Sequence, residues 1–141
     1  MKINYDQDDV NSVALCAWKE ARGDGQDAMR AVMHVIANRV GVPGFAQTVH
    51  DVVYGKNQFT SMSVPTDPEF NLQPQAGDPQ FAFCMSVVAS VLNGSDPDLT
   101  NGARWYDNPK TATSGWFARV IVGNPSSHPM VATIGQQQFF A

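Results

Sequence analysis

Residues 18–26 read Trp18-Lys19-Glu20-Ala21-Arg22-Gly23-Asp24-Gly25-Gln26, and the rest of the fold is read outward from them. Upstream, Val10, Val13, Ala14, Ala17 and Ala21 recur at helical spacing behind Asp8 and Asp9, which are candidate caps. Glu20 therefore falls in the last turn of a first helix, just before the chain runs into glycines. Downstream, Asp24 or Gly25 opens a second helix with Ala28, Ala31, Val32, Val35 and Ile36 on one stripe, and Arg39 and Gly41 mark its stop. Glu20 is one of only two glutamates. At a mouth between two helices, with Trp18 as apolar cover, its carboxyl is a candidate proton donor. The plainer alternative is an exposed helix-end glutamate paired with Arg22 or Lys19.

Further along, residues 47–54 predict a short third helix, capped by Thr48 and stopped by Gly55. From Gly55 to Asp78 the composition shifts to Pro, Gln, Asn, Ser and Thr without periodicity, which reads as a loop lining a site. Asp78-Pro79 supplies an N-cap and an N1 proline for a helix carrying Phe81, Cys84, Met85, Val88, Val91 and Leu92, expected to be the central core helix. After Asp96-Pro97, the segments 104–106, 116–122 and 130–134 are β-prone and predict a small C-terminal sheet or hairpin. Helices first and short strands last give an α+β class, mainly helical, with no internal repeat.

The 141 residues are 43% hydrophobic, enough for one globular domain spanning 1–141 without disulfides or metal. A net charge of −4 with no run of Lys or Arg gives little basis for gripping nucleic acid or an anionic membrane. No stretch is apolar enough to span a bilayer, and the N-terminus has no apolar core of an export signal, so a soluble protein without a visible export signal is expected; a monomer is expected too. Cys16 and Cys84 read as packed free thiols. His34, His50 and His128 lack ligand spacing and read as partly buried or surface residues, so no metal or cofactor is implied.

Cleavage of a glycosidic bond needs an acid to protonate the leaving oxygen and usually a second carboxylate. Glu20 suits the first role. Among the aspartates, Asp67, Asp78 and Asp96 precede proline and read as turn or cap residues, and none of the others stands out as a partner. A lone glutamate suffices if the sugar's own C6 hydroxyl attacks the anomeric carbon, because one carboxyl then serves as acid first and base afterwards. Trp105, Tyr106, Trp116 and Phe117 could stack on sugar faces, although Trp105 and Tyr106 on one strand would point to opposite sides, so that at most one faces a given groove. Gln58, Thr60, Ser61 and Asn108 offer uncharged hydrogen-bonding groups.

Taken in order, the blocks resemble the SleB/CwlJ-type cell wall hydrolases. The first is Glu20-Ala21-Arg22-Gly23-Asp24-Gly25-Gln26 with Ala31-Val32 and Ile36-Ala37-Asn38-Arg39-Val40. The second is Thr48-Val49-His50-Asp51-Val52-Val53-Tyr54 leading to Gln58-Phe59-Thr60. Gly102-Ala103-Arg104-Trp105-Tyr106 with Asn108-Pro109, Ala112 and Trp116 forms the third, and Thr133-Ile134-Gly135 near Phe139-Phe140 the fourth. The resemblance implies a lysozyme-like fold and cleavage of the β-1,4 bond between N-acetylmuramic acid and N-acetylglucosamine in peptidoglycan glycan strands, with Glu20 as general acid/base. It also implies that Gln58, Phe59, Thr60, Tyr106 and Trp116 lie in or beside the cleft, with Asn108 added as a substrate-binding candidate.

The chain departs from the family's pattern in having Asp24 where a glutamate is usual and a longer stretch from Met62 to Pro79. A short muralytic domain without an export signal resembles a phage endolysin, held in the cytoplasm until released to the wall. Lytic transglycosylation is the leading expectation. The alternatives are a hydrolysing muramidase using Asp24, Asp51 or Asp107, and a non-catalytic glycan-binding module.

Overall fold

A computed structural model describes residues 2–56, 58–111 and 115–141. Ala112, one of the residues carrying the resemblance, lies outside them. The chain runs through α1 (Gln7–Ala21), a 3-10 turn (Arg22–Asp24), α2 (Gln26–Arg39), α3 (Val49–Tyr54), α4 (Thr60–Ser63), α5 (Pro79–Leu92), β1 (Trp105–Asp107), α6 (Gly115–Phe117) continuing into a π turn (Ala118–Val122), β2 (Met130–Ile134) and β3 (Gln137–Phe140). Among the described residues, no helix is long and apolar enough to cross a membrane.

The first helix starts earlier than its apolar pattern suggests. Asp6, not Asp8 or Asp9, is the N-cap: its carboxylate accepts from the Asp9 amide at 2.9 Å while Asp9 accepts from the Asp6 amide at 3.1 Å, so two orphan donors are satisfied reciprocally. Thr48 caps α3 and Asp78 caps α5 as the side-chain chemistry predicts, the latter accepting from the Gln80 and Phe81 amides behind the N1 proline.

The helical core is built on α1 and α2, which pack on each other and on α5. Met29, Met33 and Ile36 of α2 are fully enclosed against Val13 and Ala17 of α1, and burying each such large side chain is worth about 1.5–3 kcal/mol. The centre of the core is therefore α2 rather than α5, whose enclosed residues are Cys84, Val88, Val91 and Leu92 only. The high mean apolarity of α5 misleads because Phe81, Phe83 and Met85 stay partly exposed along its flank. Cys16 and Cys84 are buried free thiols, with Cys84 Sγ 3.5 Å from Met29 Sδ.

The three strands form an antiparallel sheet in the order β1-β3-β2. β3, poor in β-formers at Gln137 and Gln138, takes the central place because Phe139 is fully buried and its neighbours pair on both sides. Gly135 and Gln136 make the two-residue turn between β2 and β3. Gly135 has φ +59°, and a Cβ there would run into the Asp24 carboxylate, which accepts from the Gln136 amide at 2.9 and 3.1 Å. Asp24 is thus the tie between the α1–α2 turn and the hairpin.

One expectation about the C-terminal third and one about α2 are corrected. Residues 116–122 are helical rather than a strand. Only Ile121 among them is buried, so there is no face for strand alternation to cover, and the Asn124 amide donates to the Arg119 and Val120 carbonyls at 3.0 Å each, closing the turn. His34, read as partly buried or at the surface, is more fully enclosed than that. It is 4% exposed and donates through Nε2 to Asp96 Oδ2 at 2.6 Å, where Arg30 Nε also donates at 2.8 Å. Asp96, read as a turn residue before proline, pins the segment after α5 onto α2.

Candidate active site

Glu20 stands one residue before the end of α1, half-buried at the base of a cleft of about 540 Å³. Each of its carboxylate oxygens receives one hydroxyl. Ser61 Oγ donates to Oε2 at 2.7 Å from α4, and the Tyr106 hydroxyl donates to Oε1 at 2.5 Å from β1. A carboxylate has about four lone-pair sites, so two remain to face a ligand. Burial pushes the Tyr106 hydroxyl well above the ordinary phenol range, and the charge of Glu20 adds to the rise, which keeps Tyr106 a donor.

Ser61 owes its place to Lys19. The Lys19 ammonium, 7% exposed, donates to the Ser61 carbonyl at 3.3 Å and to the Phe70 carbonyl at 2.8 Å. Next to it, Arg22 pairs with Glu69 and lies 4.2 Å from the Trp18 ring. Neither cation is an ion-pair partner of Glu20, so the plain helix-end reading is set aside. Trp18 does not cover Glu20 in the cleft. It borders a separate depression with Arg22 and residues 73–79.

Of the other anticipated residues, Gln58, Phe59, Thr60, Tyr106 and Trp116 all line the cleft with Glu20. Gln58 Oε1 accepts from Arg39, Phe59 is 3% exposed, and Thr60 Oγ1 donates to Asp67 at 2.6 Å. Asn108 is not in the wall: its side chain accepts from the Lys110 amide at 2.9 Å and shapes the turn after β1. Trp105 and Tyr106 both border the cleft, against the expectation from strand alternation. β1 is a three-residue edge strand paired only with β3, and the groove passes around its free side. Trp105 is held there by Phe45, with ring centroids 5.4 Å apart, and by His128 at 4.6 Å.

The stretch from Gly55 to Asp78 contributes only its first residues to the cleft. Beyond α4 it folds back on the end of α1 through Lys19 and Arg22, so most of it is scaffold. Sequence reasoning saw Arg39 as a helix stop and Arg104 as part of a β-prone block, and met both in the resemblance blocks without giving either a role. Both line the cleft. Asp24, Asp51 and Asp107 do not, and Glu20 is the only carboxylate among the described lining residues.

The match to known families covers most of this framework. The sequence profile described as Cell Wall Hydrolase matches residues 23–140. The chain belongs to that family. Glu20 lies just ahead of the matched stretch.

The chain is 32% identical over 135 residues to a spore cortex-lytic enzyme of Halalkalibacterium halodurans, covering 96% of the chain and 35% of that relative. It is 30% identical over 117 residues to the spore cortex-lytic enzyme of Bacillus subtilis, covering 83% of the chain and 35% of the relative. The chain spans well under half the length of such relatives. It superposes on the catalytic domain of the Bacillus cereus SleB protein with a TM-score of 0.72 at 30% identity, covering 98% of this chain and 93% of that one. Against the catalytic domain of the germination-specific lytic transglycosylase SleB from Bacillus anthracis, the TM-score is 0.73 at 29% identity, with both chains fully covered. The fold of the cell wall hydrolase is thus the lysozyme-like one anticipated from its blocks.

Trp116 is 53% exposed, so its ring adds little to the core and is free to stack on a sugar. Trp116→Ala is expected to leave the melting temperature within about 2 °C of the parent while raising KM for glycan about three- to ten-fold, the size of one aromatic contact. A large fall in melting temperature with unchanged KM would assign the ring to packing instead.

Proposed function

We propose that this domain cleaves the β-1,4 bond between N-acetylmuramic acid and N-acetylglucosamine as a lytic transglycosylase, with Glu20 as its single acid and base. The observation that carries the reading is one carboxyl in a sugar-sized cleft with a hydroxyl on each oxygen and no second carboxylate in the described wall. Protonated Glu20 gives its proton to the glycosidic oxygen as the bond from the muramoyl C1 to that oxygen breaks. The carboxylate left behind is stabilised by Ser61 and Tyr106, whose donated hydrogen bonds strengthen as charge develops. It then takes the proton of the muramoyl C6 hydroxyl while O6 bonds to C1, closing a 1,6-anhydro ring. No water is consumed and Glu20 ends protonated, as it began. Trp116, Trp105 and Gln58 would bind and orient the sugars. The names of the spore cortex-lytic and lytic transglycosylase relatives support the same chemistry.

Mass spectrometry of the soluble muropeptides released from purified peptidoglycan tests this. Anhydromuramic ends are expected. Reducing ends would make the domain a hydrolysing muramidase and send the search to a second carboxylate, and binding without any release would make it a glycan-binding module.

Tyr106→Phe removes one of the two donors to Glu20 and little else. A loss of about ten-fold or more in kcat with nearly unchanged KM is expected, from the loss of one hydrogen bond to a charged group. Unchanged kcat would show that the hydroxyl only packs.

A further inference from the structure

Two arginines outside the cleft show how this chain can match a guanidinium group with carboxylates. Arg22 pairs with Glu69, and Arg30 with Asp96 and Asp27. The two in the cleft are different. Arg39 is 8% exposed, and among the described residues it makes no ion pair. Its Nε donates to the Arg104 carbonyl at 2.7 Å and its Nη1 to Gln58 Oε1 at 3.2 Å, both neutral acceptors, which leaves Nη2 with no acceptor among the described residues. The rings of Phe45 and Phe59 flank its guanidinium at 5.1 Å each and fix its plane. Among the described residues Arg104 makes no ion pair either, and its buried Nε has no hydrogen-bond partner.

A buried cation without a counter-charge is costly, and an unsatisfied buried donor adds to the cost. Burial pulls the Arg39 guanidinium below its ordinary range, with Tyr106, Cys16 and Glu20 opposing the shift. While Glu20 holds the proton it is to donate, the described lining of the cleft carries two cations and no anion. The wall does not supply the missing charge, whereas the substrate can. In peptidoglycan the muramoyl residue differs from its neighbour by a lactyl ether on O3, which ends in a carboxylate or continues into a peptide that carries carboxylates.

We propose that Arg39 and Arg104 form an anion subsite beside Glu20 that binds a carboxylate on the muramoyl substituent, so that the cleft distinguishes muramoyl from glucosaminyl sugars by charge. This rests on the glycan-cleaving reading above. It also answers how a chain of net charge −4 engages an anionic polymer: the attraction is local to the cleft. Arg39 is the preorganised member, locked by two rings and two hydrogen bonds, and Arg104 lines the cleft with it, with no counter-charge among the described residues.

The test is kinetic and uses two glycans, each with and without its carboxylates capped as methylamides. One is peptide-free, with free lactyl carboxylates, and the other bears stems. For the parent, capping is expected to raise KM about ten-fold with little change in kcat, the worth of one charge-assisted bidentate contact. For Arg104→Gln, checked by melting, KM on uncapped glycan should rise similarly and capping should add less than about two-fold. A capping effect on peptide-free glycan identifies the lactyl carboxylate, and one confined to stem-bearing glycan identifies the peptide's. Equal use of capped and uncapped forms of both glycans by the parent overturns the subsite.

If the parent releases no product at all, the cleavage reading fails instead. Binding of capped and uncapped glycan oligosaccharides to the Glu20→Gln protein, by calorimetry, then decides the subsite alone.

Discussion

Glu20→Gln is expected to release anhydromuropeptides from purified peptidoglycan at least about a thousand-fold more slowly than the parent, because the only acid and base in the described cleft wall is removed. Glutamine keeps the shape, so no cavity opens in α1. It keeps only one acceptor oxygen, however, and the amide nitrogen meets either Ser61 or Tyr106. That hydroxyl can rotate and accept from the amide instead of donating, which limits the stability loss to about 1 kcal/mol. A variant that melts within a few degrees of the parent and still clears wall suspensions at the parent's rate would reject Glu20 as the acid.

The second large effect is expected at Lys19, far less visible in sequence. Lys19→Met keeps the aliphatic stem and deletes the ammonium. The carbonyls of Ser61 and Phe70 lose their shared donor in a site with little water, at about 2–3 kcal/mol, or roughly 5–10 °C in melting temperature for a domain of this size. The same change frees the backbone that carries Ser61, so kcat should fall about ten-fold even at temperatures where the variant is folded. Full kcat in a destabilised protein would separate the two roles and leave Lys19 purely structural.

How much of this was legible follows from the reach of each signal. The stripe of α2, the caps at Thr48 and Asp78, and the place of Glu20 at the end of α1 depend on residues within a turn or two, and the structure has them where they are read. The corrections concern what lies across space. Strand alternation put Trp105 and Tyr106 on opposite sides, but a short edge strand lets a groove touch both. The β-prone run 116–122 turned helical because one residue of it is buried. β3 passed unnoticed because Gln137 and Gln138 hide a strand that pairing on both sides secures; Gly135 before it was the available hint. Asn108 read as a ligand-binding residue and is a turn former, for the reason that makes asparagine ambiguous anywhere: its side chain mimics backbone. The roles of Lys19, Arg39 and Arg104 are set by carbonyls and rings up to 65 residues away, and no local pattern announces them.

The two hydroxyls on Glu20 come from 41 and 86 residues further along the chain. During synthesis, a chain extended only through α5 already contains Glu20, Ser61 and every large helix, yet it has one wall of a groove. Trp105, Tyr106, Trp116 and Arg104 arrive afterwards, on a sheet whose middle strand is the last element described. The groove is thus closed late: its second wall rests on a sheet whose middle strand, β3, follows both of its neighbours in the chain.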